Sequence, residues 1–148
     1  MTAVRFEVLG IPVQQGSHKA VGRGKFSQIV ETAKGHGAWR TDVANAARHA
    51  MAAAGLTEPL DGPLALHVIF RFPCPASRPK AHREAAQTDR GALKTTQPDL
   101  DKLVRCIGDA LTASGLIRDD ARIWDITARK VETTGWTGAE ILIGEHNP

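Results

Sequence analysis

The sequence has little from which to build a covalent or metal-knuckle scaffold. Its 148 residues hold two cysteines, Cys74 and Cys106, with no Cys-x-x-Cys pair. A small secreted disulfide framework is therefore excluded, and so is a cysteine-rich structural zinc site. Both thiols are expected to be reduced, small apolar residues near the core. No apolar stretch approaches the roughly 18 residues that a membrane span requires. Residues 1–20 contain no signal-peptide apolar region. These absences give the expectation of a cytoplasmic protein with no membrane partner. The glycine-bearing loops lack a P-loop pattern, and there is no internal repeat, low-complexity tail or linker. One domain over residues 1–148 is expected at this length.

Apolar residues make up 42% and charged residues 24%, the balance of a globular domain with a proper core. The formal charge of +3 is too small to establish nucleic-acid binding, so its distribution has to decide. Positive charge gathers in two loops. Residues 14–37 carry Lys19, Arg23, Lys25 and Lys34 against Glu31. Residues 76–97 carry Arg78, Lys80, Arg83, Arg90 and Lys94 against Glu84 and Asp89.

Between these loops the pattern is regular. Val4 to Leu9 alternates as a half-buried strand does, and Gly10 and Pro12 end it. Trp39, Val43, Ala46, Ala47, Ala50, Met51 and Ala54 fall on one helical face, with Gly55 as a stop. Leu64 to Phe72 alternates again and is closed by Pro73 and Pro75. Pro98 and Asp99 open a second helix, whose apolar face is Leu103, Val104, Ile107, Ala110 and Leu111 and whose stop is Gly115. Ile123 to about Val131 and Ala139 to Ile143 read as strands. The order β-α-β-α-β-β predicts an α+β fold: one mixed sheet of about four strands with two main helices packed against it.

The chemistry concentrates around the second helix. Asp99 stands at its mouth, Asp101 in its first turn, and Asp119-Asp120 beyond its far end. Aspartates are hard oxygen ligands, and two or three are enough for magnesium, which keeps several of its waters. Phosphodiester hydrolysis needs an activated water and compensation of growing charge, and paired ions about 4 Å apart can share those tasks. Asp99, Asp101 and Asp120 are the candidate Mg2+ ligands, with Mn2+ an expected substitute. Asp120 joins the others only if the following strand runs back across the helix start. The same residues have plain structural readings. Asp99 can cap the helix, Asp101 can favour the helix dipole and pair with Arg105 at i+4, and Asp119-Asp120 can be a solvated turn.

These residues resemble the RusA family of Holliday junction resolvases. The resemblance lies in Pro98-Asp99-Leu100-Asp101-Lys102-Leu103, Asp109-Ala110-Leu111 and Asp119-Asp120-Ala121-Arg122-Ile123, which follow a PDxDNL…DAL…DDxQV pattern. Weaker likenesses are Pro12, Gln15-Gly16-Ser17, Trp39-Arg40 and the basic run Arg78-Pro79-Lys80-Ala81-His82. The resemblance implies catalytic roles for Asp99, Asp101 and Asp120, and a Mg2+-dependent homodimer that cuts four-way DNA junctions. A two-fold dimer offers two matching active sites for two related cuts. The chain departs from the pattern twice. Lys102 replaces an asparagine, and Arg105 stands where the family places a lysine. Arginine keeps the charge and clamps phosphate but does not readily give up a proton. Candidate phosphate contacts are Arg78, Lys80, His82, Lys94, Lys102 and Lys130.

Two other readings stand beside this one. A PD-(D/E)xK-type nuclease would use Asp99, Asp120 and Arg122 and leave Asp101 dispensable. A junction-binding protein that has lost turnover would follow from the lysine-to-arginine change at Arg105.

Overall fold

A computed structural model describes residues 2–14, 18–21, 28–31 and 36–146. The basic residues Arg23, Lys25 and Lys34, and the run Gln15-Gly16-Ser17, lie outside them. The elements in chain order are β1 (Ala3–Leu9), β2 (His18–Val21), β3 (Gln28–Glu31), α1 (His36–Ala53), β4 (Leu64–Pro73), α2 (Lys80–Ala86), β5 (Ala92–Leu93), α3 (Leu100–Ser114), β6 (Ile123–Thr133) and β7 (Gly138–Glu145). Five strands form one mixed sheet in the order β1-β7-β4-β6-β5, and β2 and β3 pair separately as an antiparallel ribbon.

The α+β architecture read from the sequence is the one observed. It is extended in both basic loops, the first of which contains β2 and β3 and the second α2 and β5. The seven residues of α2 and the two of β5 are too short to leave a period in the sequence.

Burial follows the alternation. Leu64, Leu66, Val68, Phe70 and Phe72 of β4 are buried and share one core with Trp39, Val43 and Ala47 of α1 and Leu103, Ile107 and Leu111 of α3. Each of these large α3 side chains, fully removed from water, contributes about 1.5–3 kcal/mol. The helix ends as its glycine predicts: Gly115 adopts a left-handed φ of 83°, and its N–H bonds to the Thr112 carbonyl. No helix among the described residues is long and apolar enough to cross a membrane.

One feature of the topology positions the chemistry. β4 and β6 are parallel neighbours, while β4 and β7 are antiparallel. Parallel strands need a crossover, and here the crossover carries α2, β5 and α3. β6 therefore returns past α3 toward the start of that helix.

Candidate active site

The start of α3 is held from three directions. The Asp99 N–H donates to Gln14 Oε1 at 2.7 Å. The Asp99 carbonyl accepts from Leu103 N–H at 3.0 Å and so begins the helix ladder. Lys130, returning on β6, donates to the carbonyls of Thr96 and Pro98, each at 2.6 Å. Burial pulls the Lys130 ammonium below its usual pKa, Lys94 pulls the same way, and the Asp99 charge opposes them.

The expected side-chain cap is absent. Asp99 occupies the N-cap position, but its carboxylate makes no capping bond and lies 3.5 Å from Lys102 Nζ. Asp101 is exposed, and among the described residues its carboxylate has no ion pair, with Arg105 or any other residue. Asp99 thus makes no capping bond and Asp101 no pair with Arg105, although Asp101 keeps the favourable first-turn position, and the Asp101 oxygens are available to a ligand.

Asp101, Arg105 and Gly108 are spaced i, i+4 and i+7 and share one face of α3. Asp120 packs on the far end of that face. A Cβ at Gly108 would lie 3.5 Å from Asp120 Cβ and 3.6 Å from its Oδ2. A shallow cleft between α3 and β6 is lined by Val104, Arg105, Gly108, Asp120, Ile123 and Ile126, with Leu66 beneath. Asp119 and Asp120 have divided roles. Asp119 Oδ1 accepts from Ala121 N–H at 2.9 Å and caps the turn Asp120–Arg122, which lowers its pKa. Burial raises the Asp120 pKa, and the neighbouring Asp119 and Asp109 raise it further.

β6 does run back to the helix start, yet Lys130 is the residue it delivers there. Asp120 remains beside Gly108, roughly 10 Å along the helix axis from Asp101. Asp99, Asp101 and Asp120 do not close into a group of ligand atoms within 4.8 Å of one another. The donor chemistry, hard carboxylate oxygens of which only those of Asp99 face a lysine, fits a divalent cation. A magnesium ion taking one or two carboxylates and several waters fits either end of the face.

The candidate phosphate contacts form a second constellation, centred on a residue the sequence reading passed over. Glu132 of β6 is fully buried. Arg78 grips it with two bonds, Nε to Oε1 at 2.9 Å and a terminal nitrogen to Oε2 at 2.8 Å. His82 Nε2 lies 2.7 Å from Oε1, and Lys94 Nζ lies 3.5 Å from Oε2. The Arg78 hydrogen bonds lead in pulling the Glu132 pKa down to about 2, with help from His82 and Lys94. Lys94 and Arg78 also reach Thr96 Oγ1, at 3.0 and 3.4 Å, so the network braces the segment leading into Asp99. Lys80 points outward, 3.9 Å from Glu84, and Lys102 faces Asp99. Arg122 is turned to Asp61 at 3.2 Å. Glu132 left no local signal because its meaning lies in Arg78, His82 and Lys94, all distant from it in sequence.

Cys74, His82 and Glu132 do bring ligand atoms within 4.8 Å of one another. Arg78 and Lys94 already occupy the Glu132 oxygens, and that positive surround is unfavourable to a cation.

A family model described as Endodeoxyribonuclease RusA matches residues 10–144. The chain belongs to the RusA endodeoxyribonuclease family. It is also similar to the uncharacterized protein YqaN of Bacillus subtilis (strain 168), with 26% identity over 131 residues and 88% of either chain covered. Membership in RusA makes this chain a nuclease, and the match spans every element from α1 to β6.

Proposed function

We propose that this chain is a Mg2+-dependent endonuclease that resolves four-way DNA junctions as a homodimer, acting as a single RusA-type domain over residues 1–148. Mn2+ is expected to replace Mg2+, and the cytoplasm of a bacterial or phage-infected cell is the proposed location. The observation that carries the reading is the RusA match together with Asp99 and Asp101 at the start of α3 and Asp120 packed beside it, none of whose carboxylates makes a capping bond.

Asp99 and Asp101 at the start of α3, and Asp120 beside Gly108, are the proposed metal ligands, each end of the face holding its cation through one or two carboxylates and waters. The bound cation would supply Lewis-acid polarisation of the phosphate and a more acidic water. Arg105, on the same cleft as Asp120, would offset charge growing on the phosphate oxygens. Its guanidinium is suited to clamping rather than to proton transfer.

Arg78, Lys80, His82, Lys94, Lys102 and Lys130 are the proposed DNA-binding residues, with Arg78, His82 and Lys94 turned to Glu132, Lys130 to the Thr96 and Pro98 carbonyls and Lys102 to Asp99. Lys80 supports direct phosphate contact by its exposure. Arg78 and Lys94 are two permanent cations around one carboxylate, so their cluster keeps a net positive charge beside Lys130. That field favours phosphate and makes binding salt-sensitive. The turn of Arg122 toward Asp61 gives no support to a site built from Asp99, Asp120 and Arg122.

The test is cleavage of a synthetic mobile junction against a plain duplex. Asp99→Asn, Asp101→Asn and Asp120→Asn are each expected to lower cutting by about a hundredfold or more, with junction binding kept or tightened as an anion near phosphate is removed. Asp119→Asn should be milder, since Asp119 caps a turn. Normal cutting by all three variants would show that the site is elsewhere.

A further inference from the structure

β6 is covered on only one side for most of its length. It pairs with β4 along its whole run, but on the opposite edge β5 meets it only at Val131 and Glu132. The last edge group engaged is the Lys130 carbonyl, which accepts from Lys94 N–H at 3.3 Å. At the other end the register shifts between the partners of Ile123 and Asp125. An open, regular stretch remains from Asp125 to Arg129, and no described segment pairs with it. It contains no proline and no glycine. Such an edge presents unpaired N–H and C=O groups to a second strand.

The stretch is complementary to itself. Its midpoint is Thr127. A two-fold axis there, with the strands antiparallel, sets Asp125 against Arg129 of the second copy, and Arg129 against that copy's Asp125. Both residues are exposed, and among the described residues neither has an ion-pair partner. On the helix side the same register sets Ile126, 49% exposed, against Ala128 of the second copy. Backbone direction agrees. Lys130 turns its carbonyl to the open edge, so Ala128 and Ile126 do the same by alternation and form the hydrogen-bonded pairs.

We propose that two copies of this chain join edge to edge through residues 125–129 of β6, in an antiparallel pairing centred on Thr127. The proposal rests on the two-fold enzyme put forward above and supplies its dimer surface. An axis at Thr127 is perpendicular to the sheet, so the two α3 helices lie on the same side of a continuous sheet. Lys130, which holds Pro98, is three residues from the axis, about 10 Å along the strand. The two sites would then face one substrate from the same side, separated along the strand by on the order of 20 Å.

The test uses the whole chain in two ways. Thr127→Cys places two thiols across the axis at a Cα separation of about 4.5 Å, within disulfide reach. Mild oxidation should give a covalent dimer that a thiol reverses, and the wild-type chain, with only Cys74 and Cys106, should give none. Asp125→Arg and Arg129→Asp should each raise the dimer dissociation constant about tenfold or more in sedimentation, and the double exchange should restore it. A monomer at all concentrations overturns the proposal. So does a dimer that neither cross-links through position 127 nor responds to the exchanges. A dimer of that second kind that still cuts junctions removes the edge assignment and leaves the nuclease reading standing. A dimer that does cross-link through position 127, yet cuts nothing before or after the link is reduced, keeps the edge and removes the nuclease reading.

Discussion

Asp120 rests on Gly108, its Cβ 3.5 Å from where the first side-chain carbon of any other residue would stand. The contact sets the height of the acid along α3 and turns it toward the cleft that Arg105 shares. A glycine in the middle of a helix is unfavourable by about 1 kcal/mol relative to alanine, and the neighbouring acid here stands at ordinary contact distance from a methyl group.

Gly108→Ala and Gly108→Leu should therefore diverge. The distances to a Cβ are ordinary contacts, so alanine should fit, raise stability by about 0.5–1 kcal/mol and leave junction cutting unchanged. Leucine has no room and should displace Asp120, with loss of cutting and about 1–3 kcal/mol of stability. Denaturant melts and cleavage rates of both variants check this.

Glu132→Gln should be among the most destabilising single changes in the chain. It leaves Arg78 and Lys94 facing a buried neutral group, at a cost of about 3 kcal/mol. The pH dependence carries the same signature. The folded pKa of about 2 lies below the ordinary 4.5, so the group stabilises the fold above pH 4.5 and loses that contribution as pH falls toward 2. The variant should lack this part of the acid-side decline, measurable as unfolding free energy against pH.

Lys130→Met should loosen the segment that delivers Asp99. Two charged hydrogen bonds to the Thr96 and Pro98 carbonyls disappear, worth about 2–3 kcal/mol together. Cutting at saturating junction should fall more than junction affinity does, because the loss is one of position. Parallel cleavage and binding titrations separate the two.

Arg105→Lys and Arg105→Ala test what the arginine does. If it acts by charge alone, lysine should retain cutting within about tenfold and alanine should lose about a hundredfold or more. A lysine variant that cuts much faster than wild type would point instead to a missing proton donor.

Local pattern carried much of the fold. Alternation in β1, β4 and β7 and the apolar spacing of α1 and α3 were readable because each element buries a face, and burial imposes a period on the sequence. Gly115 ended α3 as read, since a left-handed residue there favours glycine. The acids of the PDxD and DD motifs were visible for a different reason: they are close neighbours in sequence, so their spacing survives without the fold.

Tertiary structure alone decided where those acids go. That β6 brings Lys130 to Pro98 and leaves Asp120 at Gly108 depends on a parallel crossover from β4, which no local period encodes. Basic residues that look alike in the sequence were also separated by it. Arg78, His82 and Lys94 turn inward to Glu132, and Lys80 turns to solvent, because one buried carboxylate on β6 needs polar partners and takes them from three directions. Charge pairing across such distances is a property of the packed sheet, and the order of residues along the chain carries no record of it.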